Sequence, residues 1–275
     1  SHCAATFGTS AGLPLGVPST GLHHDIEVKV DPFAHRVTVL DRVDLSGFSA
    51  DAPQEFTLGR AFIVESAEPA VIPVPSAHPN VLGRPTRTYR LSVPANRLTL
   101  RYTGTLPEQF QHGQGVRGVV GEQGVYLDGN AGWIARFGDE LATFEMRVSL
   151  PGGWESVSQG ERVGANHWRA RAPQDDVYLI ANRFARFTLA DGAKPQISAY
   201  LRRPDPALAR RYNERARGYI AMYEKLLGPY PYRKFALVEN FWESGLGMPS
   251  FTLLGSRVIR LPFILDSSFP HEILH

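Results

Sequence analysis

From His24 to about Tyr200, apolar and polar residues alternate in short runs separated by turn residues, and a period of two commits a segment to sheet. Asp25-Ile-Glu-Val-Lys-Val30 is one such run; Asp31-Pro32 turns the chain, and Val37 to Leu40 begins the next. The habit returns over Arg87 to Val93 and Arg97 to Tyr102, on either side of Pro94-Ala95-Asn96. Thr143 to Leu150 is followed by the Pro151-Gly152-Gly153 turn and a strand through Val157. Val177 to Ile180 and Phe187 to Leu189 continue the series. Many short strands with turns between them predict a sandwich or multi-sheet β domain, and no repeat of fixed period is visible.

The texture changes at Pro204-Asp205-Pro206. Asp205 can cap a helix and Pro206 suits its first turn. Leu208, Tyr212, Tyr219, Ile220, Tyr223 and Leu227 then recur at helical spacing, a stripe to bury, until Gly228 and Pro229 stop it. Arg210, Arg211, Arg215 and Arg217 fall on the same helix, where a solvated face explains them better than a basic patch does. Further strands are expected at Phe235 to Glu239, Ser250 to Leu254 and Arg257 to Leu261. The fold class is therefore mainly β, then α+β: a flexible arm over 1–22, a β domain over 23–202 and the opening of a second domain over 203–275.

Composition sets bounds. A chain of 275 residues, 43% hydrophobic and 20% charged, has ample material for a core. A net charge of +2 gives no reason to expect nucleic acid or an anionic membrane surface as partner. No apolar run approaches the roughly 18 residues of a membrane-spanning segment. Cys3 is the sole cysteine, which excludes an intrachain disulfide, and His2 breaks the small-residue pattern of a lipoprotein acceptor. The chain starts without Met in a small, polar, Gly/Pro-rich segment, Ser1 to Thr20. That looks like a processed or trimmed start and is compatible with export, although no residue fixes the compartment or the oligomeric state.

The last five residues, His271-Glu272-Ile273-Leu274-His275, spell His-Glu-x-x-His. Positions i and i+4 of a helix lie one above the other, so both imidazoles can face one zinc ion. Glu272 would sit beside the metal, placed to take a proton from a water that the metal polarises. Pro270 suits the first turn, Asp266, Ser267 and Ser268 are cap candidates, and Ile273 and Leu274 offer a side to bury. An ordinary surface helix end carrying two histidines is the competing reading of these five residues alone.

Other signals point elsewhere and are weaker. Gly113-Gln-Gly115-Val-Arg-Gly118 matches the dinucleotide pattern Gly-x-Gly-x-x-Gly, but no apolar strand precedes it and Val119 to Gly124 cannot open a stable helix. A Gly-rich loop is the expectation there. His23-His24 reads as a surface pair at a strand entry. No Gly-x-Ser-x-Gly occurs; Trp242 stands where Ser244 would need the first Gly.

Gly228-Pro-Tyr-Pro-Tyr232, then Gly245-Leu-Gly-Met-Pro-Ser250, then His271-Glu-x-x-His275 resemble the aminopeptidase N family of zinc metallopeptidases in order and spacing. In that family a helix ending in a Gly-x-Tyr-Pro-like turn leads into a strand, then a Gly-x-Met-Glu-Asn segment, then the zinc helix. Tyr126, Trp133, Arg136, Asp139, Ala142-Thr-Phe144, Leu150-Pro151 and Gly153-Trp154 are similar to the family's N-terminal β domain. The resemblance implies that residues 203–275 begin a thermolysin-like catalytic domain, with zinc as cofactor and a peptide as substrate. Carried over, His271 and His275 would be zinc ligands and Glu272 the general base. Gly245, Leu246, Gly247 and Met248 would form the edge strand that holds an extended peptide by strand addition.

Two departures bear on activity. Pro249 and Ser250 stand where the family has Glu and Asn, and that Glu binds the substrate's free α-amino group; Pro has neither charge nor N–H. Glu239 or Glu243 could substitute, although a surface carboxylate is the plainer reading of each. The family's third zinc ligand, a Glu on the next helix, and its oxyanion-steadying Tyr would both lie beyond His275. With two histidines alone this chain is expected to be inactive, as an N-terminal portion of a longer zinc metallopeptidase. A noncatalytic scaffold or peptide-binding module is the alternative. Pro249 favours it and Glu272 opposes it, since a scaffold has no need of a base.

Overall fold

The computed structural model describes residues 21–48, 52–76, 80–81, 84–108 and 118–275. Gly113 to Arg117 of the glycine-rich match, and residues 1–20 of the arm, lie outside the described residues. The alternating runs do form strands. A seven-stranded sheet runs in the order Glu161–Gly164, His167–Gln174, Ala142–Ser149, Leu22–Asp31, Arg36–Asp44, Arg97–Thr105, Phe62–Glu68. Within Leu22–Asp31 the residues Ile26, Val28 and Val30 are buried while Glu27 and Lys29 face water, as a half-covered strand requires. That strand pairs antiparallel with Arg36–Asp44 and parallel with Ala142–Ser149, in register from Leu22↔Ala142 to Lys29↔Ser149.

His23 and His24 are not the surface pair that the sequence suggests. His24 falls on the inward face of the strand, is buried, and its Nδ1 lies 2.6 Å from Asp41 Oδ2. His23 Nδ1 lies 2.7 Å from Thr143 Oγ1 on the parallel neighbour. Period two puts one of any two adjacent residues inside, and here the polar one is matched by a buried carboxylate.

Turns that look like hairpins in sequence pass between sheets. Arg84–Leu91 pairs with Glu55–Gly59 and Val71–Val74 in a small sheet, whereas Arg97–Thr105 belongs to the seven-stranded one. The Pro94-Ala95-Asn96 corner between them is held by Gln54, which donates to Ala95 O at 2.7 Å and accepts from Ala95 N at 2.9 Å. The Pro151-Gly152-Gly153 turn likewise leads into a four-stranded sheet, ordered Glu155–Val157, Leu179–Asn182, Gly124–Leu127, Val119–Gly121. Trp133 is fully buried and its indole N–H donates to Val177 O at 3.0 Å, while Tyr102 donates to Trp133 O at 2.7 Å. Buried rings thus keep their polar tips satisfied.

Asp176 sits in this β domain with Oδ1 accepting from Val177 N at 2.7 Å. Burial pushes its carboxyl up from 3.8 to about 6, helped by the Asp128 and Asp175 charges and opposed by backbone hydrogen bonds from Gly129 and Val177. The folded state holds this proton more tightly than the unfolded chain, so the group's stabilising effect is full at acid pH and is lost as the pH rises through about 6. Asp176→Asn is expected to gain about 2 kcal/mol on the wild type between pH 4 and pH 7 in urea unfolding. A difference that stays flat across that range would sink the assignment.

The second part of the chain is built on a five-stranded sheet, ordered Ala185–Thr188, Gln196–Leu201, Lys234–Asn240, Phe251–Gly255, Gly245–Met248. Its first two strands precede residue 203. Gln196–Leu201 and Lys234–Asn240 are parallel, joined by helix α1, Pro206–Leu227, which covers one face. Asp205 caps α1 by accepting from Leu208 N at 3.1 Å, and Gly228 follows its last residue. Every residue of Lys234–Asn240 is buried, as a central parallel strand should be. Arg210, Arg211 and Arg215 of α1 are exposed, and Arg217 reaches Asp191 at 2.7 Å, so the solvated face is as expected.

Two expectations fail here. Leu227 is 76% exposed and ends the buried stripe at Tyr223. Arg257 to Leu261 is not a strand but the start of two short 3₁₀ turns, Val258–Arg260 and Pro262–Asp266. Pro262 cannot donate to a ladder, Ile259 tucks into the core, and Arg260 turns back onto Glu239.

Candidate functional site

Helix α2, Ser268–Leu274, carries the His-Glu-x-x-His residues, with His275 as its closing cap. Seven residues would not hold a helix on propensity alone, so packing must do it. Phe269 and Ile273, one turn apart, are buried, and the Phe269 ring meets Tyr212 edge-on at 5.0 Å, with Tyr219 at 6.3 Å and Phe235 at 6.2 Å. Leu274, by contrast, is 53% exposed and takes no part in that face. The Ser267 side chain does not cap the helix; its hydroxyl donates to Phe263 O at 2.7 Å.

The tyrosines of α1 supply a function that their apolar spacing did not reveal. Tyr212 donates to Ile259 O at 2.6 Å, Tyr219 to Leu265 O at 2.8 Å and Tyr223 to Pro270 O at 3.1 Å. Three phenols on one stripe therefore tie down the backbone that leads into α2. Leucine at these positions would pack but leave those carbonyls without the bond. The signal available in sequence was the choice of Tyr over Leu at three of the stripe positions.

With one face of α2 fixed, His271 and His275 project from the other. Their Nε2 atoms are 3.0 Å apart and the rings stand at 79° to each other. Two nitrogens bound to one tetrahedral zinc at about 2.0–2.1 Å would be separated by about 3.3 Å, so the pair fits a shared ion with a few tenths of an ångström of adjustment. Neutral imidazoles are also the right donors for zinc. Among the described residues no group of three or more His, Cys, Asp and Glu side chains is placed to hold a metal ion, so at α2 the two histidines stand without a third such ligand.

Gly245–Met248 is the last strand of the five-stranded sheet, antiparallel to Phe251–Gly255 from Gly245↔Leu254 to Met248↔Phe251, and no described strand pairs with its outer edge. Gly245 is exposed, Leu246 and Gly247 are half-buried, and Met248 is buried. This strand lies against α2, and the approach is closest at Gly247. A methyl group on Gly247 would stand 2.7 Å from His275 Cβ and 3.0 Å from both Glu272 O and Glu272 Oε2. Only glycine allows that approach, which brings Glu272, His275 and the strand backbone into one cluster. A cavity of about 330 Å³ lies beside it, walled by Tyr223, Tyr230, Phe235, Met248, Ile273 and His275.

The carboxylates considered as substitutes at position 249 are engaged elsewhere. Glu239 is not a surface group: it is fully buried, 2.8 Å from Arg260 Nη1, and accepts from the N–H groups of Arg202 at 3.0 Å and Arg203 at 3.4 Å. Burial alone would raise its carboxyl, but the bonds from Arg260 and the backbone bring it below the usual range. Glu243 is exposed, as expected, and accepts from Arg257 N at 2.9 Å.

A multi-sheet β domain, a parallel sheet crossed by a long helix and a glycine edge strand on a His-Glu-x-x-His helix together define the fold of the N-terminal portion of M1 zinc metallopeptidases. Solved structures bear this out. The M1 zinc metallopeptidase of Deinococcus radiodurans aligns with a TM-score of 0.59 at 19% identity, over 92% of this chain and 63% of that one. A mutant of that enzyme bound to a Tyr-Ser-Ala substrate aligns at 0.58 and 18%, over 92% and 64%. Native yeast LTA4 hydrolase aligns at 0.62 and 12%, over 92% and 43%. The chain thus spans less than two thirds of the length of these structures. No protein-family model matches the sequence, and no curated protein does. No helix of the described residues is long and apolar enough to cross a membrane.

Proposed function

We propose that the whole protein is a zinc-dependent peptidase of aminopeptidase-like build, with His271 and His275 as zinc ligands and Glu272 as general base. The observation that carries this reading is the approach of the His271 and His275 Nε2 atoms to 3.0 Å on a helix whose Glu272 and His275 lie against Gly247, in a strand edge that no described strand pairs. Zinc, when bound, would polarise the scissile carbonyl and make a water nucleophilic at neutral pH. The chain's own residues do the rest. Glu272 takes the proton from the attacking water and returns it to the leaving amine. Gly245, Leu246, Gly247 and Met248 bind the substrate through backbone N–H and C=O groups, which reads chain direction without demanding particular side chains. The Tyr-Ser-Ala seen on the Deinococcus enzyme supports a peptide as the ligand class.

Recognition of a free amino terminus has no support at position 249. Pro249 offers no charge, Glu239 is locked under Arg260, and Glu243 faces Arg257 N. This favours either a peptidase indifferent to the amino terminus or a peptide-binding module without turnover. Both are tested by zinc analysis of the whole protein together with hydrolysis of paired peptides, one free and one acetylated at the amino terminus. One zinc per molecule and cleavage of both members of a pair is the expected result. If zinc is absent and neither member is cleaved, the peptidase reading falls and the binding module stands.

A further inference from the structure

Lys234, the first residue of the central strand of the five-stranded sheet, is only 4% exposed, and among the described residues no carboxylate lies within ion-pair distance of it. Its ammonium donates instead to Ser158 O at 2.5 Å, Ser250 Oγ at 2.7 Å and Ser250 O at 3.2 Å. The rings of Trp168 and Phe251 each lie 5.2 Å from Nζ. Burial lowers the pKa of this lysine well below that of an exposed one. Such a group is unfavourable unless its donors are used, and three acceptors use all three.

The partners come from two parts of the fold. Ser158 and Trp168 belong to the β domain; Ser250 and Phe251 form the corner that turns the edge strand Gly245–Met248 into its neighbour. Ser250 holds φ at 69°, a left-handed conformation that is rare outside Gly, Asn and Asp. Its hydroxyl accepts a second bond, from Gly160 N at 3.0 Å. The corner is therefore gripped from both sides: by Lys234 from the sheet, and by residues 158–160 from the β domain. Three residues upstream of Ser250 is Gly247, the point of contact with Glu272 and His275.

We propose that Lys234 is a positioning residue: by clamping Ser250 to the β domain it fixes the edge strand in the place where its backbone can receive a peptide beside Glu272 and His275. This rests on the peptide-binding reading of that strand. A lysine suits the task because its stem crosses from the sheet interior to the seam. With no acid to draw it away, every donor goes to the clamp.

Two variants of the whole protein test it, Lys234→Met and Ser250→Gly. Glycine takes the positive φ without strain and removes the hydroxyl with its bonds from Lys234 and Gly160, while Ser250 O can still accept from Lys234. Amide exchange over residues 245–250 is expected to quicken about tenfold in each variant, with no further gain in the double variant and no change over 22–31. For peptide hydrolysis, KM is expected to rise about fivefold with kcat held within about twofold, as for loss of binding that is uniform along the reaction. A lysine that only supports folding would lower the active fraction, hence kcat, and leave KM alone. Unchanged exchange over 245–250 in folded Ser250→Gly overturns the clamp, and that variant decides the matter even if Lys234→Met fails to fold. If the wild type cleaves no peptide, the hydrolytic reading fails, but the exchange measurement still judges the clamp.

Discussion

Glu272→Gln is expected to lower peptide hydrolysis by the whole protein about a thousandfold while leaving zinc bound. The two side chains have the same shape, and Glu272 is half-buried on a helix anchored by Phe269 and Ile273, so the exchange alters charge and leaves the packing in place. The amide cannot accept a proton at neutral pH, so the attacking water keeps its own. His271 and His275 lie on either side, and neither depends on Glu272 for its orientation by any hydrogen bond in the structure. Zinc content and kcat measured on the same preparation check this. Hydrolysis within tenfold of wild type would remove Glu272 from the mechanism, and simultaneous loss of zinc would reassign it to holding the site together.

Gly247→Val is expected to cost about a hundredfold in kcat/KM, for a steric reason alone. Even the first carbon of a side chain at 247 would sit 2.7 Å from His275 Cβ, and two of its three nearest atoms belong to the Glu272 backbone and carboxylate. Backbone cannot swing aside as a flexible side chain can. The strand and α2 must therefore separate, by about 1 Å for a branched residue, and a displacement of that size at reacting groups is worth about two orders of magnitude. Gly218→Ala serves as control, since a methyl group there meets nothing within 4 Å on the exposed side of α1. Full activity in Gly247→Val, with zinc retained, would show that the strand and the helix are not held in a fixed relation.

The local parts of this arrangement were readable in the sequence because local rules govern them. Spacing of four brings His271 over His275; alternation makes Leu22–Asp31 a strand; Asp205, Pro206 and Gly228 bracket a helix. What could not be read depends on residues far apart. Nothing near Arg84–Leu91 and Arg97–Thr105 says that they join different sheets. His24 is inside because Asp41 waits for it across the sheet, and Glu239 is inside because Arg260 and two N–H groups surround it. Lys234 looks like any strand-entry lysine until Ser158 and Ser250 arrive from 76 and 16 residues away. Ser250 is a related case. Its left-handed φ of 69° goes with hydrogen bonds from Lys234 and Gly160, residues 16 and 90 positions away.

The parallel pairing of Leu22–Asp31 with Ala142–Ser149 constrains how the protein is made as well as how it stands. During synthesis the chain leaves the ribosome from its amino-terminal end, and hairpin partners such as Arg36–Asp44 become available within seconds. The parallel partner of the first strand lies about 120 residues later, as the His23 to Thr143 bond marks. Until then one long edge of the nascent sheet, with Ile26, Val28 and Val30 on its inward face, has no neighbour. Closure at such separation is slow, because loop entropy must be overcome before any contact rewards it. While residues 32–141 are being made that edge stays open to other chains, and slower translation there is expected to lengthen the exposure.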